Sequence, residues 1–290
     1  MKLALWLLPL SALIATPPPP NSTPLPDPHE LKQRALANMK KSEKDRENYS
    51  CIVRSHETEF NADGSEKRNR SRLEERFYVN GMEINHVLAR DGKDLSGNDA
   101  KKEQERVDHQ VMKYSDRQQV EKAKAQDEKE VDMFLRAQRF TNGRREIRDG
   151  RSTVVYDLTG DPGFHPKNIE ERFANALTGR VWIDEDSGTP VEVQAETRRD
   201  IKMGAGLIAT LHKGFQLHLV QQREPDGVWI TKSVYGTGDA RAALFFHPRF
   251  RFQEELDKCH LFSVDTKETV GQPGAVPPRD ASPSQHGVSR

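Results

Sequence analysis

The chain has 290 residues, of which 34% are hydrophobic and 31% charged, with 45 Lys+Arg set against 45 Asp+Glu. A net charge of zero argues against a protein that tracks nucleic-acid phosphates, because that affinity comes from a basic excess. Lys67, Arg68, Arg70 and Arg72 are basic, but Glu66, Glu74 and Glu75 sit among them. They read as the solvated face of a strand.

Residues 1–16 read as a secretory signal peptide: Met1-Lys2, an apolar run from Leu3 to Ala15, then Thr16. The run is shorter than the roughly 20 apolar residues of a membrane span, a plain N-terminal anchor being the alternative. No later segment approaches that length, so no transmembrane span is expected in the mature chain. Its expected location is periplasmic or otherwise exported. Residues 17–28 form a proline-rich linker, expected to be extended and mobile.

From 29 to about 270 a single domain is expected, with the Pro-, Gly- and Ser-rich 271–290 as a disordered tail. His29 to Glu47 is a predicted helix, with Leu31, Ala35, Leu36 and Met39 at helical spacing after Asp27-Pro28. After Tyr49 the period changes to two. Leu73, Glu75, Phe77 and Val79 share one strand face, and Asn80-Gly81 turns the chain into Met82–Ala89. Asp91-Gly92, Asn142-Gly143, Asp149-Gly150, Ser187-Gly188 and Asp226-Gly227 repeat that punctuation, which accepts the positive φ of tight hairpins. Consecutive hairpins predict an antiparallel sheet. A charged helical insertion over 99–140, read as two helices with the second ending near Asn142-Gly143, and a shorter helix over 168–177 make the class α+β.

No motif states a chemistry. Gly204-Ala205-Gly206-Leu207-Ile208-Ala209 matches a dinucleotide fingerprint in letters, but a strand pattern follows it where a helix is required, so it reads as a loop. His212, His218 and Cys259-His260 supply no convergent set of the three or four ligands that zinc needs. Neither catalysis nor a cofactor or metal is expected. Cys51 and Cys259 are the two cysteines, and in an oxidising compartment the pair favours a disulfide, with two separately buried thiols as the alternative.

Several strand faces are strongly apolar. Phe215, Leu217 and Leu219 line one; Val228, Ile230 and Val234 another; Val154, Tyr156 and Leu158 a third; Met82, Ile84, His86 and Leu88 a fourth. Fully covered by helices, these rows are core. Left with a gap above them, they line a cavity for an apolar ligand.

The segments Tyr49-Ser50-Cys51-Ile52-Val53, Arg76-Phe77-Tyr78-Val79-Asn80-Gly81, Gly179-Arg180-Val181-Trp182-Ile183-Asp184 with Gly188-Thr189-Pro190-Val191, and Asp226-Gly227-Val228-Trp229-Ile230 resemble the periplasmic outer-membrane lipoprotein carrier and sorting superfamily (LolA-like, RseB-like fold), over about 29 to 266. The resemblance implies a strongly curved antiparallel sheet, a half-barrel with helices on its concave side. It also implies that the concave apolar face holds lipid or the acyl groups of lipoproteins. Phe77, Met82, Ile84, Tyr156, Phe215, Leu217, Leu219 and Ile230 are then the expected ligand-binding residues. No catalytic residue carries over. The runner-up reading is an envelope protein-interaction or sensor module that docks a partner through the charged insertion.

Overall fold

A computed structural model describes residues 24–203, 208–242 and 248–261. The expected signal peptide, most of the expected linker, positions 204–207 and 243–247, and everything after 261, the expected tail included, lie outside the described residues. The chain opens with α1 (Pro28–Lys41) and α2 (Glu43–Arg46), followed by β1 (Tyr49–Phe60), β2 (Glu66–Val79), β3 (Met82–Arg90) and β4 (Lys93–Asp94). The insertion is α3 (Gly97–Ser115) and α4 (Arg117–Ala137). Then come β5 (Gln138–Arg148), β6 (Arg151–Gly160), α5 (Ile169–Ala176), β7 (Leu177–Asp184) and β8 (Pro190–Thr197). The described chain ends through β9 (Ile201–Met203), β10 (Ala209–Leu211), β11 (Gln216–Arg223), β12 (Trp229–Ala242) and β13 (Arg249–Leu261).

The thirteen strands form one antiparallel sheet, ordered β4-β3-β2-β1-β13-β12-β11-β8-β7-β6-β5, with β10 joining β12 and β9. The sheet is open, with β4 and β5 at its ends. Most neighbours are hairpins, as the turn residues predict. Asn80 and Gly81 (φ 50 and 78), Asp91 and Gly92 (51 and 74), and Asp149 and Gly150 (48 and 74) all take the double positive φ of tight reversals. Three pairings skip over intervening strands: β1 with β13, β8 with β11 and β10 with β12.

Three expectations are corrected. Asn142-Gly143 neither ends a helix nor makes a hairpin: α4 stops at Ala137, and the dipeptide is a bulge inside β5, where the β5–β6 register steps between Thr141 and Arg144. Glycine is required there because an added Cβ would lie 2.7 Å from Leu25 Cδ1 and 2.9 Å from the Tyr156 ring. The helix over 29–47 is broken at Ser42, whose hydroxyl donates to the Asn38 carbonyl at 2.8 Å. The end of the linker is docked, not free. Tyr156 Oη donates to the Pro26 carbonyl at 2.5 Å and Arg145 Nη2 to the Pro24 carbonyl at 2.8 Å.

Helix starts follow their caps: Asp27, Asp116 and Asn168 each accept a backbone N–H at 2.8 Å, from His29, Gln118 and Glu171. Leu31 of α1 and Phe134 of α4 then pack on Val154, Tyr156, Leu158, Val181 and Ile183. The alternate residues Val155 and Trp182 pack with Val191 and Trp229 on the opposite face, so β6 and β7 bury apolar groups on both sides. The insertion is part of the body. Lys124 of α4 pairs with Glu43 at 2.6 Å and Asp132 with Lys32 at 2.7 Å.

Candidate functional site

On the helix-covered face, cross-strand register builds a continuous aliphatic row. Tyr156 lies opposite Val181, Val181 opposite Val193, Val193 opposite Leu219, and Leu219 opposite Val234. The cover thins along it: Tyr156 and Val181 are buried, whereas Val193, Leu219 and Val234 are only partly buried. The next row is Leu158, Gly179, Ala195, Leu217, Gly236 and Phe252. Gly236 leaves room for the Phe252 ring, which a Cβ there would meet at 2.3 Å, and Gly179 for the backbone of β8, which a Cβ would meet at 1.9 Å.

Of the residues expected to bind ligand, Tyr156, Leu217 and Leu219 therefore share this face. Phe215 is buried just before β11, its ring 5.9 Å from that of Phe173 and 6.2 Å from that of Phe250. The others lie elsewhere. Ile230 is buried with Tyr49, Cys51 and Val228. Phe77 and Ile84 face each other across the β2–β3 hairpin, and Met82 lies opposite Val79 at its tip. Cys51 and Cys259 are bonded, with S–S 2.08 Å.

Two cavities with charged residues in their walls were not foreseen. One of about 720 Å³ lies on the face opposite α1 and includes Asp157, Arg180, Gln194, His218 and Tyr235, drawn from five different strands. Asn142 Nδ2 donates to Asp157 at 2.9 Å and Arg180 Nε at 3.2 Å; the amide foremost, then the guanidinium, hold the Asp157 carboxyl below its usual range. Beside it, His218 Nε2 lies 2.9 Å from Oε1 of the buried Glu192, which also accepts from Gln194 and Arg148. The other cavity, about 640 Å³, lies between β2, β3 and α3 and includes Arg70, Arg72, Glu74, Arg90, Glu103 and Arg106. In it the Glu74 side chain makes no hydrogen bond among the described residues, and burial pushes its carboxyl pKa up. Alternation along single strands carries no sign of either cavity, because register alone brings these residues together.

Among the described residues no group of three or more His, Cys, Asp or Glu side chains is placed to hold a metal ion. No described helix is long and apolar enough to cross a membrane. Comparison of the chain with protein-family models, with curated proteins and with solved structures finds no match.

Proposed function

We propose that this chain is an exported, non-catalytic binding protein that takes lipid or lipoprotein acyl groups on the helix-covered face of its sheet, the sheet curving as a half-barrel around the helices. The observation that carries this reading is the aliphatic row from Tyr156 to Val234, apolar over five strands while its burial falls away at Val193, Leu219 and Val234. Apolar area left in water forgoes about 25 cal/mol per Å², and a chain laid along the row recovers it. Ligand sites have this character, a mostly apolar lining with few polar groups.

The test is uptake of a fluorescent fatty acid by delipidated protein, with native mass spectrometry of gently purified material beside it. Leu219→Glu places a charge in the row and abolishes uptake, whereas Met112→Glu, on the exposed side of α3, leaves it intact. A wild-type protein that takes up nothing and carries no copurified lipid sinks the reading.

A further inference from the structure

The cavity between β2, β3 and α3 has a wall in two parts. One part is locked. Glu103, 5% exposed, accepts from the Val87 backbone N–H at 2.8 Å and from Arg106 Nη2 and Nε at 2.6 and 3.1 Å. Arg106 also donates to the Asn85 carbonyl. Asp91 closes the rim by accepting from the Ser71 backbone N–H at 2.7 Å.

The other part has spare donors. Arg72 has Glu74 at 4.0 Å, Arg90 has Glu103 at 4.0 Å, and Arg70 has Glu57 and Glu59 at 3.7 and 3.9 Å. All are beyond hydrogen-bond reach. Arg72 and Arg90 are direct cross-strand partners, and Arg70 follows Arg72 on the same face. Like charges placed opposite each other across a sheet destabilise it. A guanidinium carries five N–H donors in a planar fork that fits an oxyanion.

We infer that this cavity binds a phosphate group, held by Arg70, Arg72 and Arg90 on a scaffold fixed by Glu103 and Arg106. Three forks approaching from two strands call for an anion with more than the two oxygens of a carboxylate, and a phosphate monoester offers three terminal ones. The cavity, about 640 Å³, leaves space for whatever carries the phosphate, a small molecule or a lipid headgroup. This site lies on β2, β3 and α3, outside the aliphatic row, and stands whether or not that row takes an acyl chain.

The experiment uses the full mature chain at low ionic strength. Calorimetry reads binding of inorganic phosphate, and flotation reads binding to phosphatidylcholine vesicles with and without phosphatidic acid. Arg72→Gln and Arg90→Gln each weaken binding about tenfold or more. Relief of the opposed charges offsets the lost 4.0 Å contacts to Glu74 and Glu103, so their ligand-free melting temperatures stay nearly level, and the variants report on binding and not on folding. Arg68→Gln, on the same strand but outside the cavity, leaves binding unchanged. Saturable binding of inorganic phosphate assigns a free or small-molecule phosphate; binding only to phosphatidic acid vesicles assigns a headgroup. Failure of both ligands to bind, or equal weakening by Arg68→Gln, overturns the site.

Discussion

Cys51 and Cys259 stand directly opposite each other across β1 and β13, Cα to Cα 4.0 Å, although 208 residues separate them in the chain. The bond therefore clamps the one junction where the two ends of the domain meet in mid-sheet. Closing a loop of that length restricts the unfolded chain by about 5 kcal/mol in the chain-entropy model. Denaturant unfolding of the Cys51→Ser, Cys259→Ser double variant should show a loss of that order. An unchanged midpoint would mean that the β1–β13 pairing holds without help.

Gly188 is pinned by α1. Its φ is +71, and a Cβ there would lie 2.0 Å from the Leu31 carbonyl oxygen and 2.6 Å from the Ala35 nitrogen. Gly64 has a similar φ of +86 but nothing within 4 Å. Gly64→Ala should cost only the left-handed backbone term of about 1–2 kcal/mol. Gly188→Ala adds a backbone collision and should cost about 3 kcal/mol or more, lifting α1 off the β7–β8 turn. Equal midpoints for the two variants in thermal melts would contradict this packing.

Tyr156 ties the proline-rich lead-in to the sheet through its hydrogen bond to the Pro26 carbonyl. Tyr156→Phe removes that bond and keeps the ring, so the cost should be about 1 kcal/mol. Limited proteolysis should then cut within 24–28 faster than in the wild type, with the rest of the digest unchanged.

Asp184 is 1% exposed and accepts from Arg151 Nε and Nη2 at 2.5 and 2.9 Å and from Ser187 N and Oγ at 2.8 Å each. Burial alone would raise its pKa, but these four donors outweigh it and hold the carboxyl below its usual range. The stability it contributes is thus present above the unfolded carboxyl pKa, about 3.9, and is lost as pH falls through the lower folded value. Asp184→Asn should cost about 2–3 kcal/mol at neutral pH, since removing one partner of a buried pair leaves the other uncompensated and Arg151 is 28% exposed. It should also flatten the acid limb of the stability curve.

What local chemistry dictates was legible. The Asn80-Gly81, Asp91-Gly92 and Asp149-Gly150 reversals need two residues at positive φ, and the sequence places such pairs where the chain turns. The same letters misled at Asn142-Gly143, where only Asn142 takes a positive φ (52) and the chain bulges within β5 instead of reversing. Partners distant in sequence leave no local trace, and so β8–β11 and β10–β12, with both cavities, escaped, whereas β1–β13 was signalled only by the Cys51–Cys259 pair. Arg70, Arg72 and Arg90 illustrate the limit. Alternation puts Arg70 and Arg72 on one face, but nothing in the strand tells that α3 walls that face in and turns a solvated stripe into a cleft. The aliphatic row was legible strand by strand and illegible as a row.

Glu74 responds to pH in the opposite sense to Asp184. It is 9% exposed, its side chain makes no hydrogen bond among the described residues, and its ion pair with Arg72 at 4.0 Å is joined by the attraction of Arg76 and Arg106. Burial pushes its pKa up, against the pull of Arg72. A raised folded value means that the stabilising contribution is full below the unfolded carboxyl pKa, about 4.3, and fades as pH rises through the folded value, where a charge must be carried in a poorly solvated place. Glu74→Gln keeps the shape and removes that ionisation, so it should raise the melting temperature at pH 7 and leave it nearly level at pH 4. A loss of stability at pH 7 would show instead that the Arg72 pair outweighs desolvation, making Glu74 a counter-ion of the arginine cleft and not a buried acid.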